Sequence, residues 1–112
     1  MHSSNPFETG PWTIDLAPGE ISREIQCDGI IDLNGLGELV GVEILDFRRQ
    51  TGAMTPQSGG NALPKCGYDA EIDAFYVRIT KGSSPIQKKA KGTVALDAEN
   101  HMLGVTVALV DP

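Results

Sequence analysis

The sequence predicts an all-β protein: two similar three-stranded antiparallel meanders packed as a pseudo-two-fold sandwich or flattened barrel of about six strands. Three observations carry this. First, the chain repeats at a constant offset of 63 positions. Gly29-Ile30-Ile31-Asp32-Leu33-Asn34 falls on Gly92-Thr93-Val94-Ala95-Leu96-Asp97, and Leu39–Leu45 falls on Met102–Ala108 without a gap. Second, apolar residues alternate with polar ones inside each repeated stretch, the period of a half-buried strand. Third, the chain has 13 Gly and 7 Pro, and no stretch of ten or more residues reads as an amphipathic helix, so turns outnumber long helices.

Each element follows in order. Trp12, Ile14 and Leu16 share one face of an extended segment, and Phe75, Val77 and Ile79 share the corresponding face of another. Ala17-Pro18-Gly19 closes the first of these, and Lys81-Gly82-Ser83-Ser84-Pro85 closes the second. A more polar strand fits Ile21–Cys27 and, in the second copy, Ile86–Lys91. There Lys88, Lys89 and Lys91 suit an edge strand, where charge discourages aggregation. Ile31 and Leu33 match Val94 and Leu96. Hairpin loops then fit Asn34-Gly35-Leu36-Gly37 and Ala98-Glu99-Asn100-His101. Val40, Val42 and Ile44 match Leu103, Val105 and Val107. One of the apolar strands Val40–Leu45 and Leu103–Leu109 is expected at an edge or a dimer face.

The organisation is one domain, 1–112, of two repeats (11–46 and 68–112) joined by a linker (47–67) whose central Gln50–Lys65 stretch is rich in Gly, Pro, Ser and Asn. Met1–Pro6 reads as a mobile tail. The core is expected from Trp12, Ile14, Ile31, Leu33, Val42, Ile44, Phe75, Val77, Val94, Leu96, Val105 and Val107.

Charge and length bound the function. A chain of 112 residues suffices for one core without staples. The net charge of −6 argues against a nucleic-acid backbone or an anionic membrane as partner. The charge is uneven, with −8 over residues 1–46, +3 over 47–67 and −1 over 68–112; drift of surface charge after duplication is the favoured reading, and unlike charge that helps the halves dock is the other. The two cysteines, Cys27 and Cys66, do not correspond under the offset and form no CxxC pair, so neither a disulfide framework nor a zinc site is expected. With no apolar signal core or long apolar run, the expected location is the cytoplasm.

The stretch Tyr68-Asp69-Ala70-Glu71-Ile72-Asp73-Ala74-Phe75-Tyr76-Val77-Arg78-Ile79 resembles the opening of a bacterial family of unknown function, DUF2283. Gly41-Val42-Glu43-Ile44-Leu45 is similar to that family's closing strand, and Gly104-Val105-Thr106-Val107-Ala108 is a looser version. The second copy resembles a whole family domain. The first resembles one with an eroded start, since only Glu8 falls on an acid of the motif, Glu71. The resemblance implies a small cytosolic bacterial protein with no established activity. The position of some members beside small toxin-like genes hints at a partner-binding role.

Few residues offer chemistry. Asp69, Glu71 and Asp73 alternate, and an extended chain would put three carboxylates on one face for Ca²⁺, Mg²⁺ or acid–base work. The competing reading is a turn solvated and capped by these acids, and the residues favour it. Asp32, Asn34 and Glu38 lack calcium-loop spacing and fit a hairpin loop. His101 stands alone in a loop, no triad is readable, and Gly35-Leu36-Gly37 opens no helix that would hold phosphate. Tyr76 and Arg78 lie opposite Phe75, Val77 and Ile79 as an exposed strip, which reads first as an ordinary outer strand face and second as a partner surface. The expectation is therefore a non-catalytic protein-interaction module that acts as a homodimer or binds a small protein partner, with no cofactor. The alternative is a small-ligand or divalent-metal protein that uses the Asp69–Asp73 segment. A hydrolase using the same acids with His101 stands last.

Overall fold

The computed structural model describes residues 11–54 and 63–110; the expected N-terminal tail and the centre of the expected linker lie outside them. The strands are β1 (Trp12–Asp15), β2 (Arg23–Leu33), β3 (Leu39–Ile44), β4 (Lys65–Asp69), β5 (Ala74–Arg78), β6 (Ile86–Leu96) and β7 (Met102–Leu109). One short helix, α1 (Phe47–Thr51), follows β3. The all-β class holds. All seven strands lie in one antiparallel sheet, ordered β1-β7-β6-β2-β3-β5-β4 and curled into a half-barrel.

The connections differ from two stacked meanders. The polar stretch from Arg23 and the apolar stretch ending at Leu33 are one continuous strand of 11 residues, and β6 has the same length. β2 pairs with β6 from Arg23↔Leu96 to Leu33↔Ile86, and its second half also pairs with β3. Both edges of β2 are thereby occupied, which leaves none for β1. β1 crosses to β7 instead (Trp12↔Val107), and β5 crosses to β3 (Phe75↔Ile44). The first strand of each repeated unit therefore completes the other unit's half of the sheet.

The register repeats at the sequence offset. Moving each residue of Trp12↔Val107 by 63 positions, one up and one down, gives Phe75↔Ile44. The hairpin pair Gly29↔Ile44 gives Gly92↔Val107. Even the irregularities correspond, at Asp32/Leu33 in one hairpin and Ala95/Leu96 in the other. Asp28 and Lys91 are equivalent by offset and face each other across the β2–β6 seam.

Two expectations about edges are overturned. Lys88, Lys89 and Lys91 belong to β6, a central strand, and Val40–Leu45 and Leu103–Leu109 both run inside the sheet. Lys89 and Lys91 lie on the outer face, which is solvated in an antiparallel sheet, and Lys88, on the alternate face, is exposed near the start of the strand before the buried residues begin. The apolar strands are inside because the exchanged β1 and β5 cover their far edges.

The inner face holds the core. Of the twelve residues expected there, all but Trp12 are buried, and Trp12 packs partly against the rest. The 47–67 stretch does not behave as a plain linker where it is described. Phe47, fully buried, opens α1 and stacks on Phe75 with ring centroids 5.0 Å apart. Further along, residues 65–67 enter β4. After α1, Met54 docks on the β6–β7 loop through Met54 N–H to the Asn100 carbonyl (2.8 Å) and Met102 N–H to the Met54 carbonyl (3.1 Å). Arg23 holds the same loop through Asn100 Oδ1 at 2.6 Å.

The connector after β1 packs on β7. Leu16 and Ala17 both donate to the Leu103 carbonyl. Gly19, at φ 155, rests on the Leu103 side chain, and a Cβ there would stand 2.9 Å from Cδ2. Ile79 and Thr80 do the same to the Val40 carbonyl. Val40 and Leu103 are buried, though neither belongs to the main core cluster.

Phe75 meets the Phe47 ring and is fully buried. Phe75→Ala should therefore cost about 3–5 kcal/mol, read as a lower midpoint in urea titration with an unchanged slope.

Candidate functional site

The motif residues gather on the β4–β5 hairpin, which is closed by a turn over 70–73. Asp73 takes a left-handed conformation there (φ 53), one that Asp tolerates better than most residues. This aims its main chain and its carboxylate at the start of α1. The Asp73 carbonyl accepts Phe47 N–H at 2.8 Å. Its carboxylate accepts the N–H groups of Arg48 (2.9 Å) and Arg49 (3.1 Å) and the Tyr68 hydroxyl (2.6 Å). The residue at the helix boundary, Asp46, makes no side-chain cap bond. Asp73 thus supplies from 25 positions away the acceptors that α1 lacks. The Arg48 guanidinium lies over the Tyr68 ring, 4.7 Å from its centroid, a cation–π contact that closes the cluster.

This network sets the ionisation of its members. The Tyr68 hydroxyl, followed by the two backbone N–H groups, holds the Asp73 carboxyl below the ordinary aspartate range. The same hydrogen bond pushes the Tyr68 phenol up. Both directions mark a carboxylate used as an acceptor in its ionised form.

The other acids point elsewhere. Asp69 Oδ1 accepts Glu71 N–H at 3.0 Å and so shapes its own turn. Glu71 and Ile72 are exposed at the tip. The three carboxylates are therefore spread over a helix terminus, a turn and solvent. Among the described residues no group of three His, Cys, Asp or Glu is placed to hold a metal ion.

Tyr76 and Arg78 face outward on β5, as their alternation with Phe75 and Val77 requires. The Tyr76 ring lies across Gly67 of β4, where a Cβ would stand only 2.4 Å from it. Glycine at that position is what lets the ring lie flat on the neighbouring strand. Arg78 donates to the Gly82 carbonyl, which ties its head to the following turn. Gly67–Glu71 and Tyr76 bound an open depression of about 490 Å³.

The two other hairpin loops are built alike. Asn34 Oδ1 accepts Leu36 and Glu38 N–H, both at 2.9 Å; Asp97 Oδ1 accepts Glu99 N–H at 2.9 Å and His101 N–H at 2.8 Å. Asp32 turns away to Gln87 (2.9 Å). His101 Nδ1 lies 3.1 Å from Asp97 Oδ2. The bonds from His101, its backbone N–H first, hold Asp97 below the ordinary range. Cys27 is buried in β2, and burial pushes its thiol up to about 11. Cys66, half-buried in β4, is raised for the same reason.

Sequence reasoning missed Arg48 and Gly67 as parts of this site. Arg48 lay in the expected linker. Gly67 carried no signal, because its role depends on a ring that only strand pairing brings over it.

The fold and site define a small antiparallel β protein that carries an aromatic, acid-rimmed hairpin at one end of its sheet. Compared with known protein families, curated proteins and solved structures, the chain matches none. No helix among the described residues is long and apolar enough to cross a membrane.

Asp73→Ala should destabilise the chain by about 0.5–2 kcal/mol, the range of a lost helix cap. Because the folded carboxyl titrates below the unfolded one, this contribution is complete above the unfolded value near pH 4 and fades as pH falls through the folded one. Denaturant curves of wild type and Asp73→Ala should converge below about pH 4.

Proposed function

We propose that the protein is a cytoplasmic, non-catalytic interaction module of two duplicated repeats, related to the family its motif resembles, that acts as a homodimer or on a small protein partner. The observation that supports this reading is the outer surface of the β4–β5 hairpin. Tyr76 is 47% exposed and Ile72 63% exposed. They flank a strand, β4, that ends the sheet among the described residues. A terminal strand offers a row of backbone donors and acceptors to an added strand, and an aromatic side chain beside it supplies a contact anchor. The 63-residue register supports the duplication. The net charge of −6 favours protein surfaces over nucleic acid.

Light scattering over a wide concentration range tests the homodimer form, with the monomer mass as reference. Tyr76→Ala and Ile72→Ser should each weaken association about tenfold or more, as interface anchors do, while the thermal midpoint moves little for Ile72→Ser. A wild-type chain that stays monomeric at the highest concentration would remove the homodimer form. A partner complex unaffected by either substitution would remove this surface from the proposal.

A further inference from the structure

Among the described residues, the seam between β2 and β6 is the one place where equivalent positions of the two repeats meet. Asp28 faces Lys91, its own counterpart at the offset, and Glu24↔Ala95, Gln26↔Thr93, Ile30↔Lys89 and Asp32↔Gln87 flank that pair. In a symmetric assembly the axis residue would face a copy of itself. Here it faces the opposite charge, with Lys91 Nζ 2.6 Å from Asp28 Oδ1, and Asp32 accepts from Gln87 at 2.9 Å. The outward positions of β2 carry Glu24, Asp28 and Asp32 and no cation, while those of β6 carry Lys89 and Lys91 and no acid.

Other pairings of these strands are sterically open. The buried inward residues of both strands are small or aliphatic (Cys27, Gly29, Ile31 and Leu33 against Ala90, Gly92, Val94 and Leu96), while Arg23 and Lys88 on the same faces are exposed near the strand starts. The hairpins that flank them have the same register. If β2 met β2 of a second chain in the same geometry, Asp28 would face Asp28 and Glu24 would face Asp32. If β6 met β6, Lys91 would face Lys91. Like charges directly opposite on a sheet repel, and unlike charges attract.

We propose that this outer seam is a recognition surface between the repeats. Its partner is the basic face of a β6 strand, and the acidic face of β2 excludes a second β2. The exposed Asp28–Lys91 pair, with side chains 68% and 65% exposed, adds little stability by itself. Its effect is on the choice between partners, where attraction in one pairing and repulsion in the other add up. The surface makes β2 choose β6 and keeps like halves from pairing with like, β2 with β2 or β6 with β6, in a second chain.

Full-length chains test this. One variant makes β6 acidic (Lys89→Glu with Lys91→Asp). A second makes β2 basic (Asp28→Lys with Asp32→Lys). Each alone sets like charges across its own seam. Refolded together at low salt, the acidic β2 of the first meets the basic β6 of the second, and the basic β2 of the second meets the acidic β6 of the first. Native mass spectrometry should then show a 1:1 mixed species at twice the chain mass. That species should be absent when the folded variants are simply mixed, absent from co-refolded wild type, and lost at high salt, where exposed charges are screened. A chain carrying all four substitutions should recover the wild-type melting behaviour. Mixed species no more abundant than for wild type, or a four-fold variant that does not fold, would overturn the proposal. The same holds if either two-residue variant melts like wild type at low salt.

Discussion

The structure depends on the pairing of β2 with β6 along all 11 residues of each. This seam fixes which strands have edges left over. With β2 committed to β6 and β3, and β6 to β2 and β7, the edges left over are those of β7 and β3; β1 takes the first and β5 the second. The core follows from the same constraint. Ile31 and Leu33 of one unit pack with Val94 and Leu96 of the other, and α1 adds Phe47 against Phe75. Neither unit holds a complete apolar face by itself, so burial is shared, and most of the hydrophobic stabilisation comes only when both are in place.

What the sequence made legible was periodic. The 63-residue offset and the alternation located six strands and eleven fully buried core positions, because side-chain facing is a local property of an extended chain. Pairing partners were not legible, for a reason inherent in the repeat. Trp12 and Ile14 present the same pattern to β3 as to β7, and residue pattern alone cannot choose between two similar acceptors. The lysines of β6 misled for a related reason. A strand edge and a solvated strand face both tolerate charge, and only the opposing Asp28 tells them apart. α1 escaped because five residues are too few to show a helical period.

The acid motif shows how spacing can be right and its meaning still undecided. Asp69, Glu71 and Asp73 alternate, yet a turn intervenes, so alternation does not translate into a shared face. Asp73 is the informative residue. Its left-handed backbone lets one side chain and one carbonyl serve the helix in the stretch between the units. The motif thereby ties the second unit to the segment that follows the first, at a point remote in sequence from the central seam. Tyr68 and Arg48 tighten this joint from above. The outward residues Tyr76 and Ile72 take no part in these bonds and remain available on the surface.

The exchange of β1 onto β7 has a consequence for synthesis on the ribosome. β1 is the first described strand to leave the exit tunnel, and its partner β7 is the last. Until almost the whole chain has emerged, the earliest strand has nothing to pair with, and β3 waits likewise for β5. Such distant pairings make closure late and slow, and they leave apolar strands open on the nascent chain. A truncated product that lacks β6 and β7 would carry the first unit's strands with their partners missing. The sheet therefore closes only after β7 has emerged, and until then the first unit's strands stand without their final partners.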